Sequence, residues 1–448
     1  MKGDTQRLGC GPECSIPIES GHSVAPLAGN CGRLEGMCSR PFVALYIAVF
    51  AATMGISMVS PLLPVYAKEL GASGVWLGLT FSIFAVFQAI FGPFAGRLSD
   101  RYGRKPFIIA GLLIYITAAL GYLTAQSFYQ VIAFRAFSGL GTSLVFSVAR
   151  AYVGDMTPRG QEGRWLGVFA TADIVGFGTG PLVAGLFREL VGFRSVFVAM
   201  ASLLSFSAFI LLIWLPRHSP AEQERRARPG FQREKAMGFG RALSDRLVSA
   251  VTANQGLISV SSGATMSFLA LRLEDGLGAT PILIGLAFAT QDLTGGLAQP
   301  IFGRLADRYD RRALVAIGLA WNAALLIVLG YVPSYELAVL VLFLMGCGSG
   351  MAQVASGALK VVAGRRAGMG TVLGLGSASN GAGIVIGSVA GGVLVDQFGL
   401  GSAFLFGGVL MALGVPTFLA LTKGVATREP AYVVTAPGAP ADAAAGGK

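Results

Sequence analysis

Charge is what this sequence has least of. Of its 448 residues, 13% are Asp, Glu, Lys or Arg, against about 25% in ordinary soluble domains. That deficit, with a mean hydropathy of +0.66, argues against a soluble enzyme. An apolar share of 54% excludes a largely disordered chain. Histidine is nearly missing: His22 and His218 both sit in polar segments, which leaves no basis for a histidine-centred catalytic or metal site. Of five cysteines, Cys10, Cys14, Cys31 and Cys38 crowd the first 40 residues at spacings that match no strong zinc pattern, and Cys347 stands alone. No nucleophile elbow and no phosphate loop occur. The chain is therefore expected not to be an enzyme and to carry no cofactor and no metal. Residues 1–40 also lack the apolar core of a secretory signal.

Long apolar runs and glycine are what the sequence has in quantity. Its 63 glycines suit close-packed membrane helices, where small residues let backbones approach. About 20 apolar residues cross the roughly 30 Å of bilayer hydrocarbon, and twelve such stretches can be read, at 42–66, 76–95, 106–126, 130–152, 164–187, 194–215, 247–272, 281–302, 313–332, 337–360, 370–395 and 401–422. None alternates with period two, which argues against a membrane barrel. With the N-terminus inside, the inner loops and C-terminal tail hold 25 of the 34 Lys and Arg, and the outer loops hold four. The positive-inside rule then places both termini in the cytoplasm of a multi-pass protein of the cell (inner or plasma) membrane. The +11 net charge is accounted for by this topology, and no nucleic-acid partner is expected.

The spans divide six and six. The expected organisation is an N-terminal extension (1–40), a first six-helix bundle (41–216), a cytoplasmic central loop (217–246), a second bundle (247–424) and a disordered tail (425–448). A repeat joins the two bundles. Gly96, Arg97, Leu98, Asp100, Arg101, Tyr102 and Arg104 recur as Gly303, Arg304, Leu305, Asp307, Arg308, Tyr309 and Arg311 at an offset of 207. Gly167, Gly176, Gly180 and Gly185 recur at the same offset as Gly374, Gly383, Gly387 and Gly392. The fold expected is all-α and polytopic, with twelve transmembrane helices in two pseudo-symmetric six-helix bundles in parallel orientation, an arrangement common in secondary transporters.

Charges inside the spans are few: Arg135 in span four, Asp173 in span five and Asp292 in span eight. Each is costly in hydrocarbon and is expected to face a partner or a wet cavity. A mid-span carboxyl exposed to two compartments in turn suits proton coupling, so Asp173 and Asp292 are candidate proton or substrate sites. Arg135 cannot shed its proton and is a candidate partner for an acid or an anionic substrate. Gln88, Asn254, Gln255, Gln291, Asn322, Gln353 and Asn380 are further candidates to line a cavity. Asn380 stands at the repeat position of Asp173.

The loop Gly96-Arg-Leu-Ser-Asp100-Arg101-Tyr-Gly103-Arg104-Lys105 resembles the loop motif of the major facilitator superfamily, and its second copy departs at Asp310, where the first has Gly103. The resemblance covers about residues 41–422. Arg135 with Gly139 and Gly141 is similar to the span-four motif of proton-coupled members. Gly167, Gly176, Gly180-Pro181 and Gly185 resemble the span-five motif of drug/proton antiporters, with Ala184 where glycine is usual. Pro61-Leu-Leu-Pro64 is typical of that group too. The resemblance implies that Asp100 and Arg104, and by pseudosymmetry Asp307, brace a cytoplasmic gate, and that the span-five stripe seals the contact with span eight. It implies a monomeric secondary active transporter that works by alternating access in the lipid bilayer. The expected activity is proton-coupled efflux of small apolar or amphipathic compounds. Symport or uniport of a sugar, nucleoside or organic anion is the alternative, and a non-transporting membrane sensor is a third reading.

Overall fold

A chain in hydrocarbon must satisfy its own backbone hydrogen bonds, and helices do so within each segment. The structure is a computed structural model that describes residues 39–157, 162–216 and 239–424. The first half comprises α1 (Arg40–Val59), α2 (Leu63–Glu69), α3 (Gly74–Tyr102), α4 (Arg104–Thr124), α5 (Phe128–Met156), α6 (Glu162–Val191) and α7 (Phe193–Trp214). The second comprises α8 (Phe239–Leu243), α9 (Arg246–Leu277), α10 (Pro281–Arg308), α11 (Arg311–Leu329), α12 (Tyr335–Ala367), α13 (Met369–Phe398) and α14 (Gly401–Thr422). Residues 1–38 of the expected extension, most of the central loop and the 425–448 tail lie outside the described residues, as do the side chains of Asp100 and Asp307. Of the loop read as 217–246, the described part holds α8 and the start of α9, where the Asp245 carboxylate accepts from the N–H groups of Leu247 and Val248 at 2.8 and 3.1 Å.

Among the described residues, eleven helical stretches are long and apolar enough to cross a membrane, with α1 and α2 counted together as Arg40–Glu69. Pro64, in the first turn of α2, follows the break between them. The remaining expected span is α10, which at 28 residues is long enough. It carries Gln291, Asp292 and Gln299, and they lower its apolarity.

Packing reproduces the repeat. In the first half α1 packs on α6 and α7, and α4 on α5 and α7, with α3 on α5. The second half repeats each pair: α9 on α13 and α14, α11 on α12 and α14, and α10 on α12. The halves are joined chiefly by α6 with α10 and α3 with α13, with smaller contacts from α9 to α2 and α3. The spans run alternately up and down, so Arg40 and Thr422 share one end of the bundle, here the near end.

The turn after α3 explains the motif's departure. Gly103 sits at φ +100°, a conformation that favours glycine. Its repeat mate Asp310 has φ −67° and instead caps α11 with its carboxylate, which accepts from the Arg312 N–H at 3.1 Å. One copy turns by backbone freedom and the other by a side-chain cap.

At the far end the halves meet closely. A methyl group at Gly78 or Gly285 would run into the backbone of Ser388 or Pro181, and at Gly185 or Gly392 into that of Pro281 or Gly74. Each of these pairs is an exchange between bundles. Two carboxylates strengthen the seam. Asp396, near the end of α13, accepts from the N–H groups of Gly74 and Val75 at 2.7 and 3.1 Å. Glu189, near the end of α6, accepts from the Ile282 N–H at 3.1 Å. Both anions face the positive start of a helix in the other bundle. Arg188 adds a bidentate pair to Glu274, at 2.7 and 3.1 Å, and Lys68 pairs with Asp275.

Candidate functional site

Midway along the helices lies a cavity of about 380 Å³. α6 lines it from the first half with Asp173, Ile174 and Phe177, and α9, α10, α11, α12 and α14 line the rest. Four of the expected polar residues meet there: Asp292 and Gln291 on α10, Asn322 on α11 and Gln353 on α12. Asp173 joins them. Its Oδ2 accepts from Arg150 Nη2 at 3.1 Å, while Oδ1 is buried with no partner. Neither oxygen of Asp292 has a hydrogen-bond or ion-pair partner among the described residues. Gln291 Oε1 and Ser261 Oγ are likewise buried and unpartnered. The wall thus offers acceptors, including a carboxylate, that no described residue satisfies. Buried polar atoms are ordinarily paired, and such a set fits a proton, a water or a donor-bearing ligand.

Other expected residues fall elsewhere. Gln88 and Asn254 do not line the cavity, and Asn254 is buried with Nδ2 unpartnered. Gln255 and Asn380 form a separate polar network. Ser259 Oγ donates to Asn380 Oδ1 at 2.7 Å, and Gln255 Nε2 donates to the same oxygen at 3.3 Å. Lys360 on α12 completes it by donating to Gln255 Oε1 at 2.7 Å. Arg135 is 1% exposed and meets no acid among the described residues. Its Nη2 donates to Ser60 Oγ at 3.3 Å, its guanidinium lies 4.3 Å from the Phe84 ring centre, and Nε and Nη1 are unpartnered. The Phe81 ring centre lies 5.5 Å from the guanidinium, and cation–π attraction to the two rings compensates part of its charge.

The motif residues are also distributed by packing. Arg104 is buried and donates to Asp155 Oδ2 and Ser99 Oγ, both at 3.0 Å, tying α4 to α5 and α3 within the first half. Lys105 donates to the carbonyls of Leu212 and Leu215 at 2.7 and 2.6 Å, capping the end of α7. Arg101 lies 5.5 Å from the ring centre of its neighbour Tyr102. A side chain at Gly96 would meet nothing within 4 Å, and one at Gly303 only Val354 at 3.9 Å. Arg308 and Arg311 flank the turn into α11. Of the span-five stripe, Gly176 and Gly180 face Thr53 and Ser57 of α1, inside the same bundle, rather than span eight. Gly185 and Pro181 do meet α10, and Gly167 faces open space. A helix of close-packed small residues has two narrow faces, and the periodic stripe serves the intrabundle one.

Arg150, Lys360, Asp155 and the far-end ions Lys68, Arg188, Glu189, Glu274, Asp275 and Asp396 were not among the expected site residues. The signal available for several of them was the offset itself, since Glu189 and Asp396, like Lys68 and Asp275, are 207 residues apart.

Two pseudo-symmetric six-helix bundles with a mid-depth cavity that carries a few polar groups on an apolar wall define a membrane transporter rather than an enzyme. The comparisons agree. The sequence profile of the Major Facilitator Superfamily matches residues 45–259 and 251–443, and the chain belongs to that family. The multidrug resistance protein MdtG of Salmonella choleraesuis (strain SC-B67) is 29% identical over 321 residues, 69% of this chain and 78% of that protein. The multi-drug resistance efflux pump PmrA of Streptococcus pneumoniae serotype 4 is 26% identical over 363 residues, 79% and 89% of the two chains. Among solved structures, the nucleoside transporter NupG (D323A mutant) superposes with a TM-score of 0.70 at 14% identity, covering 85% of this chain and 99% of its own.

Proposed function

We propose that this transporter exports small apolar or amphipathic compounds in exchange for protons, as a monomer in the cell membrane with the near end and both termini in the cytoplasm. The observation that carries the reading is Asp292: a carboxylate at mid-depth, on the cavity wall, with no partner among the described residues. A lone ionised carboxylate there is costly, so the site favours its protonated form or a ligand that compensates it. Binding of a proton from one side and its release to the other would couple the rocking of the bundles to the proton gradient. Asp173 is the secondary candidate, because Arg150 already compensates one of its oxygens. The substrate class follows the names of the relatives MdtG, a multidrug resistance protein, and PmrA, a multi-drug resistance efflux pump.

 The cavity lining adds to that support, since apolar Ile174, Phe177, Ile258 and Leu326 share the wall with the acceptors.

The test uses proteoliposomes of the purified full chain and the neutral fluorescent probe N-phenyl-1-naphthylamine, with a pH gradient imposed across the bilayer. Wild type is expected to move the probe against its gradient only while the pH gradient lasts. Asp292→Asn should cut that flux at least tenfold, and Asp173→Asn by less. Probe movement indifferent to the pH gradient would overturn proton coupling, and no movement at all would overturn the export of such compounds.

A further inference from the structure

Lys360 is a cation without a counter-ion inside a candidate membrane span, Tyr335–Gly364. Its only partner among the described residues is the Gln255 amide oxygen, at 2.7 Å, and no carboxylate there lies within ion-pair reach. An ammonium group has three donors, so two are left over. The side chain is half-buried rather than sealed. It stands seven residues, two helical turns, from Gln353 on the same face of α12, about 10 Å toward the near end, and Gln353 lines the cavity. Gln255 likewise lies three and seven residues from Ile258 and Ser262, which line the cavity on α9.

The network behind it holds the ammonium in place without neutralising it. Gln255 accepts from Lys360 and donates to Asn380 Oδ1, which also takes the Ser259 hydroxyl at 2.7 Å. An amide chain fixes position and leaves the charge uncompensated. The other cations inside the spans that the cavity's surroundings hold differ in this respect. Arg150 pairs with Asp173, and Arg135 lies against the rings of Phe81 and Phe84.

We propose that Lys360, positioned by Gln255, Ser259 and Asn380, is a subsite for the anionic group of an amphipathic acid, a carboxylate or sulfonate whose apolar body extends into the mid-depth cavity. This rests on the export reading above and narrows its substrate class. The anion supplies the counter-charge that Lys360 lacks, and charge-assisted hydrogen bonds from an ammonium are among the stronger polar contacts.

The test compares two probes that share one apolar skeleton. 8-Anilinonaphthalene-1-sulfonate carries the anion, and N-phenyl-1-naphthylamine lacks it. Binding of each to the purified full chain in nonionic detergent is measured by calorimetry for wild type, Lys360→Gln and Lys360→Arg. Lys360→Gln should weaken the sulfonate about tenfold, which is about 1.4 kcal/mol, and leave the neutral probe within twofold. Lys360→Arg should retain most of the sulfonate affinity. Equal losses for both probes, or an unchanged sulfonate affinity, would overturn the subsite. The export reading survives that result if the neutral probe still moves with the pH gradient. If wild type binds neither probe and moves neither, the export reading fails and takes this subsite with it.

Discussion

The seam between the bundles and the cavity inside them obey different symmetries. At the seam the offset of 207 holds contact by contact. Glu189 caps Ile282, and its mate Asp396 caps Val75, the mate of Ile282. Gly185 lies against Pro281 as Gly392 lies against Gly74, and Gly285 against Pro181 as Gly78 against Ser388. Lys68 and Asp275, which pair with each other, are themselves repeat mates, so their contact lies on the pseudo-twofold axis. In the interior the offset breaks. Asp292 corresponds to Ala85, Gln291 to Phe84, Arg135 to Leu342, Lys360 to Val153 and Asp173 to Asn380. The surfaces that join the bundles are kept equivalent, whereas the charged groups of the interior stand in single copies. A two-bundle protein of this kind needs matched joints, but a single asymmetric ligand has no use for matched walls.

The strongest way to break this comparison is at the glycines. Gly78→Leu and Gly285→Leu should each lower the thermal unfolding temperature of the purified protein by similar amounts, because each forces a side chain into the opposing backbone. Overpacking costs about 1–3 kcal/mol in ordinary cores, and a backbone obstacle yields less readily. Gly96→Leu, placed where nothing lies within 4 Å, should leave the temperature unchanged. A large loss at one seam glycine and none at its mate would refute the matched-joint description.

The capping carboxylates sharpen it with a smaller effect. Glu189→Gln and Asp396→Asn each weaken a charged cap, and loss of a cap costs about 0.5–2 kcal/mol. Asp396 accepts two N–H groups and Glu189 one, so Asp396→Asn should be the more damaging. Spin labels at exposed Leu190 and Phe398 report the far-end separation across the bundles, and both variants should lengthen it. Smallest of all is Lys68→Ala. Its pair with Asp275 is 48% and 40% exposed, and such pairs contribute about 0–1 kcal/mol. The same spin-label distance should barely change, in contrast to Arg188→Ala, whose side chain is 8% exposed and doubly bonded to Glu274.

The fold was legible because its two signals are physical necessities. A span must be long and apolar, and a duplicated bundle must keep its register, so the twelve stretches and the offset pointed to the architecture before any coordinates. The cavity was legible in part. Asp173 and Asp292 stood out as acids in apolar runs, and both line it. Arg150 and Lys360 did not, since cations near the ends of spans also set topology. Helices α5 and α12 extend to 29 and 33 residues, beyond the roughly 20 that crossing requires, and that extra length keeps both cations on helices, where Arg150 reaches Asp173 and Lys360 reaches Gln255. The small-residue stripe of α6 announced a close approach but not the neighbour. Spacing fixes a helix face, and only the packed bundle assigns α1 to Gly176 and Gly180. Far-end ions such as Arg188 and Glu274 did not stand out, because nothing along the chain tells which loop ends converge.

The polarity of α10 bears on how the protein is made. An Asp near the middle of a helix adds about 2.5–3.5 kcal/mol to the cost of membrane insertion, and α10 carries Asp292 beside Gln291. Such a segment is a poor candidate to partition into lipid alone. Its two principal neighbours are α6 and α12, of which α6 is synthesised earlier and α12 later. The first bundle therefore offers the nascent α10 its earliest sheltered surface, through the same Gly185 and Gly285 contacts that later close the far end. In a two-bundle chain the first bundle thus presents a surface beside which a helix with a mid-span acid can settle at lower cost than in lipid alone.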